Sequence, residues 1–257
     1  MSGKVRYAVN NGIADIRFDR PDVLNAMSFS MYGELEAACT AIRNDATIRA
    51  AVFQGVGGKA FIAGTDIQQF LDFHGPHDGV AYEERIDRVV GAVEALPVPT
   101  IAVIEGFALG GGFALATVCD IRLVTPAAKF GYPIARTVGN CLSMANIARL
   151  VMHFGPSLAN RIMLLAETID AREALALKFV LEVVEPADLE SRVSALCERL
   201  KSHAPLTLRA SKEMIRRAVL AGLPDARDLI EMVYGSGDFR SGVENFLSKK
   251  RPTWTGA

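Results

Sequence analysis

The chain reads as an α/β protein whose last third is helical, and three observations lead there. Short β-branched apolar runs alternate with helix-periodic segments up to about residue 142. Two strand–glycine–helix junctions fall inside that alternating part, GGKAFIAGTDI at 57–67 and TIAVIEGFALGGGFALATVCD at 100–120. After Leu142 the apolar positions recur almost entirely at helical spacing. With 257 residues, half of them hydrophobic, there is room for one ordinary core with a helical extension.

The elements follow in order. Apolar runs at 5–9 and 13–18 flank Asn10-Asn11-Gly12, the signal of a hairpin. Ser28 or Ser30 starts a helix carrying Met31, Leu35, Ala38 and Ile42 on one face. A strand at 50–53 precedes the short apolar run 61–63; Gly64 breaks that run, and Asp66 caps a helix over 67–71. Residues 73–79 read as a polar loop. Tyr82, Ile86, Val89, Val90, Val93 and Leu96 mark a helix that Pro97 and Pro99 stop. A buried strand at 101–104 ends at Glu105-Gly106, and a helix covers 113–118. Strands are expected at 121–124, 129–131 and 180–184. Ser143 caps a helix to His153, Pro156 suits a first helical turn, and Asp170 caps 171–177. Helices over 189–201, 205–220, 225–234 and 239–248 complete the chain, and no periodic repeat is visible.

Composition excludes several functions. A formal charge of −1 provides no pull toward nucleic acid or anionic membrane, and no basic patch carries interleaved aromatics. Cys39, Cys119, Cys141 and Cys197 are scattered without a C-x-x-C, which argues against zinc or a disulfide framework and fits a reducing compartment. The start MSGKVRYAV has no secretory pattern, and no apolar run is long enough to span a bilayer, so a cytoplasmic location is expected. No G-x-S-x-G elbow and no strand-linked G-x-G-x-x-G occur. GVGGKA lacks the flanking residues of a phosphate loop. No histidine pair has metal-ligand spacing on a helix, so no metal is expected.

The glycine junctions carry the chemistry. Gly110, Gly111 and Gly112 lie between a strand and a helix, where unpaired N–H groups face outward with partial positive charge. Such a junction holds an anion or an oxyanion, or it serves only a tight turn. Ala63 occupies a comparable position in the first junction, and two N–H groups converging on one oxygen form an oxyanion hole.

Together with RPDVLNAMS, KAFIAGTDI, GFALGGGFALATVCDIRL, FGYPI and GVENFLSKKRPTW, in this order, the junctions resemble the crotonase (enoyl-CoA hydratase/isomerase) family from about Val5 to Trp254. The resemblance implies a spiral of ββα units over 1–195 and a C-terminal helical trimerisation region over 196–257. It implies an acyl-CoA thioester as substrate, with CoA as part of that substrate and no other cofactor. Ala63 and Gly111 fall on the family's oxyanion N–H positions. CoA is expected around Leu24, Gly64, Thr65, Asp66, Ile67 and Gly110, with Asp66 holding the loop. Phe246 and Lys249 fall where the family's tail reaches the nucleotide of a neighbouring subunit, which implies a homotrimer or homohexamer; Lys249 equally reads as a solvated lysine.

One departure is sharp. Family members that hydrate enoyl-CoA carry two glutamates, and their places here hold Ala114 and Ile134. Neither side chain moves a proton. The loop after Ile134 offers Arg136, Thr137, Asn140 and Ser143 but no carboxylate. Asn140 either orients water or a polar acyl group or is a turn residue beside Gly139; Ser143 reads as a helix cap. Glu105 and His74 are the further acid–base candidates, against structural hydrogen bonding and solvent exposure, while His77 is expected in solvent. His153 and His203 are expected at helix ends. The functions left open are a hydratase or isomerase, an acyl-CoA decarboxylase, a thioester hydrolase, and a non-catalytic acyl-CoA-binding protein.

Overall fold

A computed structural model describes residues 3–222, 227–251 and 254. The chain winds between two sheets. The larger has six strands in the order β1 (Lys4–Asn10), β2 (Ile13–Asp19), β3 (Ala50–Gly55), β5 (Thr100–Ile104), β7 (Ile121–Val124), β10 (Glu182–Val183). The smaller runs β4 (Ala60–Ile62), β6 (Phe107–Leu109), β8 (Lys129–Gly131), β9 (Thr168–Asp170). Three times a strand of the larger sheet is followed by a short strand of the smaller one: β3 by β4, β5 by β6, β7 by β8. A helix follows each pair: α2 (Pro76–Glu94), α3 (Gly111–Val118) and α4 (Met144–Leu164). This is the ββα spiral that the resemblance implied. Among the described residues only the β1–β2 hairpin and the β8–β9 pair are antiparallel. The hairpin turns at Asn11 and Gly12, both at positive φ, as an Asn-Gly turn requires.

Local chemistry accounts for most boundaries. Ser28 accepts from Met31 N to cap α1 (Phe29–Asn44), Ser143 caps α4, and Asp170 caps α5 (Ala171–Ala176). Within α4 the helix breaks at Gly155 (φ 68°, ψ 165°), and Pro156 opens the second half. The expected loop at 73–79 is shorter: α2 already starts at Pro76, because the Asp78 carboxylate accepts from His74 N at 2.7 Å and Gly75 N at 3.1 Å. Asp66 caps a 3-10 turn at Ile67–Asp72 rather than an α-helix. The late strand shrinks to Glu182–Val183 at the sheet edge. The helices α6 (Leu189–Lys201), α7 (Pro205–Leu220), α8 (Arg227–Tyr234) and α9 (Gly237–Leu247) follow; Asp225, the expected start of α8, lies outside the described residues.

Two features place α3. It is buried on nearly every side, which its uncharged sequence permits. A Cβ on Gly112 would lie 2.2 Å from Ile62 O, so only glycine lets α3 approach β4 this closely. At the other end, the buried Arg122 guanidinium donates to the carbonyls of Ala116 and Cys119 and stacks 4.4 Å over the Phe179 ring. A cation there satisfies the last carbonyls of α3 and complements its dipole.

The C-terminal helices fold back onto the spiral. Helix α8 crosses α2 at Gly79, where a Cβ would lie 2.1 Å from the Tyr234 ring. Tyr234 packs with Tyr82 and Phe239 at centroid distances of 6.2 and 4.7 Å.

Candidate active site

A cavity of about 260 Å³ lies between α2, the start of α3, the 133–142 segment and α9. The glycine junctions form one wall, with Ala63, Gly64, Thr65, Ile67, Gly110 and Gly111 all reaching the cavity. Asn140 and Phe246 line it too, so most of the expected site residues converge here. Phe246 lines the cavity of its own chain.

Leu24, Asp66 and Lys249 stand outside the lining. Asp66 does hold the loop, since its carboxylate pairs with Arg20 Nη1 at 2.8 Å. Asn25, fully buried at positive φ, braces the same loop: its Oδ1 accepts from Arg20 N, and its Nδ2 donates to Val56 O and Ala60 O. Lys249 is exposed at the end of α9.

The amide expected at Ala63 is spent. Ala63 N donates to Leu24 O at 3.0 Å. The next peptide but one is turned the other way. Met27 N donates to Gly64 O and Asp66 N to Met27 O, both at 2.9 Å. The Gly64 carbonyl therefore points at Met27, and the Thr65 N–H of the same trans peptide points away from it. Gly64 at φ 120° makes this reversal possible. Among the described residues the Thr65 N–H has no hydrogen-bond partner. Gly111 lies close by: a Cβ on it would sit 3.6 Å from Thr65 Oγ1. That oxygen is fixed between the hydroxyls of Tyr32, at 2.8 Å, and Tyr82, at 2.7 Å. Gly111 N heads α3 with no intrahelical partner.

Ala114 and Ile134 both line the cavity, and Ala114 is 2% exposed. The two candidate replacements for their missing carboxylates lie elsewhere. His74 is exposed in a separate surface hollow with Phe73 and Glu244. Glu105 lines another hollow, with Asp15 and Gln54, below the six-stranded sheet. His153 ends the first half of α4, where Thr117 O lies 2.9 Å from its Nε2; burial lowers its pKa to about 4, so it is neutral rather than a cation at a helix end.

The carboxyl group that does line the cavity is Glu83, 2% exposed. Its Oε1 accepts from Tyr234 OH at 2.6 Å and its Oε2 from Ser143 N at 2.9 Å. Burial raises its pKa to about 8, against the two hydrogen bonds that lower it. Asn140 Nδ2 donates to Tyr234 OH at 3.3 Å, so Asn140 steadies this group. Behind it, Ser143 Oγ donates to Asp87, Asn146 Nδ2 donates to Asp87, and Arg149 bridges Asn146 to Glu94. Tyr132, 1% exposed, also lines the cavity, and among the described residues its hydroxyl has no hydrogen-bond partner. Sequence reasoning passed over Glu83. The available signal was its position: it sits beside Tyr82 and one turn before Ile86, on the apolar stripe of α2.

Among the described residues no group of three or more His, Cys, Asp or Glu could hold a metal ion, and no helix is long and apolar enough to cross a membrane. All four cysteines are free, and burial pushes the thiols of Cys39, Cys119 and Cys141 up to about 12.

Comparisons with known proteins speak to the family and the fold. The profile of the family described as Enoyl-CoA hydratase/isomerase matches residues 8–257. Crotonyl-CoA hydratase of Syntrophomonas wolfei is 30% identical, over 93% of each chain. A solved enoyl-CoA hydratase/carnithine racemase from Magnetospirillum magneticum is 32% identical with a TM-score of 0.80, covering 98% of this chain and 96% of its own. A structure of methylmalonyl-CoA decarboxylase in complex with 2-nitronate-propionyl-CoA is 25% identical with a TM-score of 0.90, covering 99% of each chain.

Proposed function

Because the chain belongs to the enoyl-CoA hydratase/isomerase family, we propose that it is an acyl-CoA enzyme that holds a thioester enolate between the backbone amides of Thr65 and Gly111. The observation that carries this is the unpaired Thr65 N–H beside the N-terminus of α3, both on one cavity. Negative charge moves onto the thioester oxygen when the carbon next to it becomes a carbanion, and two fixed amides stabilise that charge without reorganising. The buried Arg122 and the α3 dipole reinforce it from behind.

CoA runs past Ala63, Gly64, Thr65, Ile67 and Phe246, which line the cavity, toward Leu24 and Lys249 outside it. Phe246 is assigned here to the CoA of its own chain, whose cavity it lines. The protein assembles as a homotrimer or homohexamer. Leu206 and Ile215 on α7 and Met232 on α8 are 76, 67 and 65% exposed, an apolar surface suited to burial between copies.

The formal class is a hydratase or isomerase, with chemistry that does not use the usual two glutamates, since Ala114 and Ile134 stand in their positions. Decarboxylation is the second reading. It is favoured by the likeness to methylmalonyl-CoA decarboxylase and by its chemistry, because loss of CO₂ makes the enolate without a base. Turnover of a panel of 2-enoyl-, 3-enoyl-, malonyl- and saturated acyl-CoA thioesters tests the proposal and separates the two. Failure to bind any of them would sink it; binding without turnover of any would leave a non-catalytic acyl-CoA-binding protein.

A further inference from the structure

Resting on the enolate reading above, we propose that Glu83 is the proton-transfer group of this cavity, exchanging a proton with the carbon beside the thioester carbonyl. Glu83 lines the cavity that Thr65 and Gly111 also line. The carboxyl is aimed by two donors from distant parts of the chain, Tyr234 OH and Ser143 N. Each oxygen thus spends one lone pair and keeps another.

A purely structural role explains this poorly. Among the described residues no Lys, Arg or His lines the cavity. The titratable groups that face Glu83 are all acids: Asp87 from its own helix, Tyr32 from α1, Tyr82, Tyr132, Cys141 and Tyr234. The nearby Arg149 is committed to Glu94 and Asn146. A carboxyl buried without a cation costs stability; a glutamine would avoid that cost, keeping its oxygen for Ser143 N and turning an N–H to the Tyr234 oxygen. The group is retained where its proton is useful. Asn140 and Tyr234 do not touch the reacting carbon; they are positioning residues.

The step balances within the site. The ionised Glu83 takes a proton from the carbon next to the carbonyl, or from C4 of a 2-enoyl chain. The C–H electron pair becomes a π bond, and the charge moves to the thioester oxygen held by the two amides. The neutral carboxylic acid then returns its proton to carbon. Returned to the same carbon, it gives exchange with solvent; returned to the other end of the conjugated system, it shifts the double bond. Glu83 is regenerated and no oxidant or second substrate is consumed. Because burial holds the acid neutral up to about pH 8, the base form grows as pH rises through that value.

The test is deuterium exchange at C2 of butyryl-CoA in D₂O, followed by NMR; a saturated chain can neither be hydrated nor isomerised. The unmodified protein is expected to catalyse exchange, with a rate that rises through about pH 8 and then levels. Glu83→Gln is expected to lose about a hundredfold or more while binding butyryl-CoA unchanged. Tyr234→Phe removes a hydrogen bond that favours the ionised form, and is expected to move the pH profile upward without abolishing exchange. If Glu83→Gln does not fold, this shift decides the matter. Exchange by Glu83→Gln within threefold of the unmodified rate, or a Tyr234→Phe profile that does not move, would overturn the proposal. An unmodified protein that binds butyryl-CoA without exchange also overturns it, and leaves the Thr65–Gly111 pair standing. An unmodified protein that binds no acyl-CoA brings down both.

Discussion

The Tyr32 hydroxyl lies 2.5 Å from the point where a Cβ on Gly111 would sit, and 2.8 Å from Thr65 Oγ1. One phenol therefore sets the spacing of the two proposed oxyanion residues. It requires glycine at the head of α3, and it holds the Thr65 side chain in place.

This makes a rescue experiment possible. Gly111→Ala is expected to cost about 1–3 kcal/mol of stability by overpacking, and to lower kcat/KM as α3 is displaced. Adding Tyr32→Phe removes the clashing oxygen, since the next ring atom is 3.7 Å from the new methyl, an ordinary contact. The double variant should recover most of both losses. Denaturant melts and turnover check it; a double variant no better than Gly111→Ala would refute the spacing role.

Hydration of crotonyl-CoA by the unmodified protein is expected to be slow. Water must lose a proton as it attacks C3, and C2 must gain one; each positioned group contributes roughly 10²–10⁴-fold. Ala114 and Ile134 supply neither, and Glu83, assigned to C2, leaves the attacking water without a base. Introducing Ala114→Glu with Ile134→Glu should raise the rate about tenfold, muted because two buried carboxyls raise each other's pKa. Loss of the enoyl absorbance measures it, and rapid hydration by the unmodified protein would contradict the expectation.

Tyr132 offers a stability test. Among the described residues its buried hydroxyl has no partner. An unsatisfied buried donor costs about 1–3 kcal/mol, so Tyr132→Phe should leave the free protein as stable or more stable. The same variant should weaken binding of acyl-CoA substrates whose acyl group or bound water places an oxygen there. Marked destabilisation would mean the hydroxyl has a partner in solution.

Glu83 predicts a pH dependence of folding. Its folded pKa of about 8 lies above its ordinary value of 4.5, so the folded state holds a proton that the unfolded chain releases in between. Stability from this group is fully present below 4.5 and declines as pH rises toward 8, then levels. Glu83→Gln should remove the decline, becoming the more stable protein at pH 9. Parallel unfolding curves for the two proteins from pH 5 to 9 would contradict this.

Sedimentation is expected to give a trimer or hexamer. Charged substitutions at Leu206 and Ile215, both more than 60% exposed, should dissociate it. A stable monomer before substitution would rule the assembly out.

Much of this was legible in the sequence, and what was not has identifiable causes. The caps at Ser28, Ser143 and Asp170 were readable because capping is local chemistry. Strands β6 and β9 were not, because three-residue strands exist only through partners far along the chain. The glycine junctions pointed to the cavity. The shift from Ala63 to Thr65 was hidden, because it turns on the φ of Gly64, which reverses one peptide. Glu83 was hidden by its own charge: a glutamate in a helix is ordinarily taken for a solvated one, although its position on the α2 stripe said otherwise.

The folding back of α8 onto α2 has a consequence for the order in which the protein is made. Tyr234 leaves the ribosome 151 residues after Glu83. At about 5–20 residues per second, the spiral waits on the order of 10–30 s for the helix that brings the phenol to Glu83. In that interval Glu83 lacks its phenol, and the notch at Gly79 is empty. The nascent chain then carries both proposed oxyanion amides before the groups that aim Glu83 are all in place.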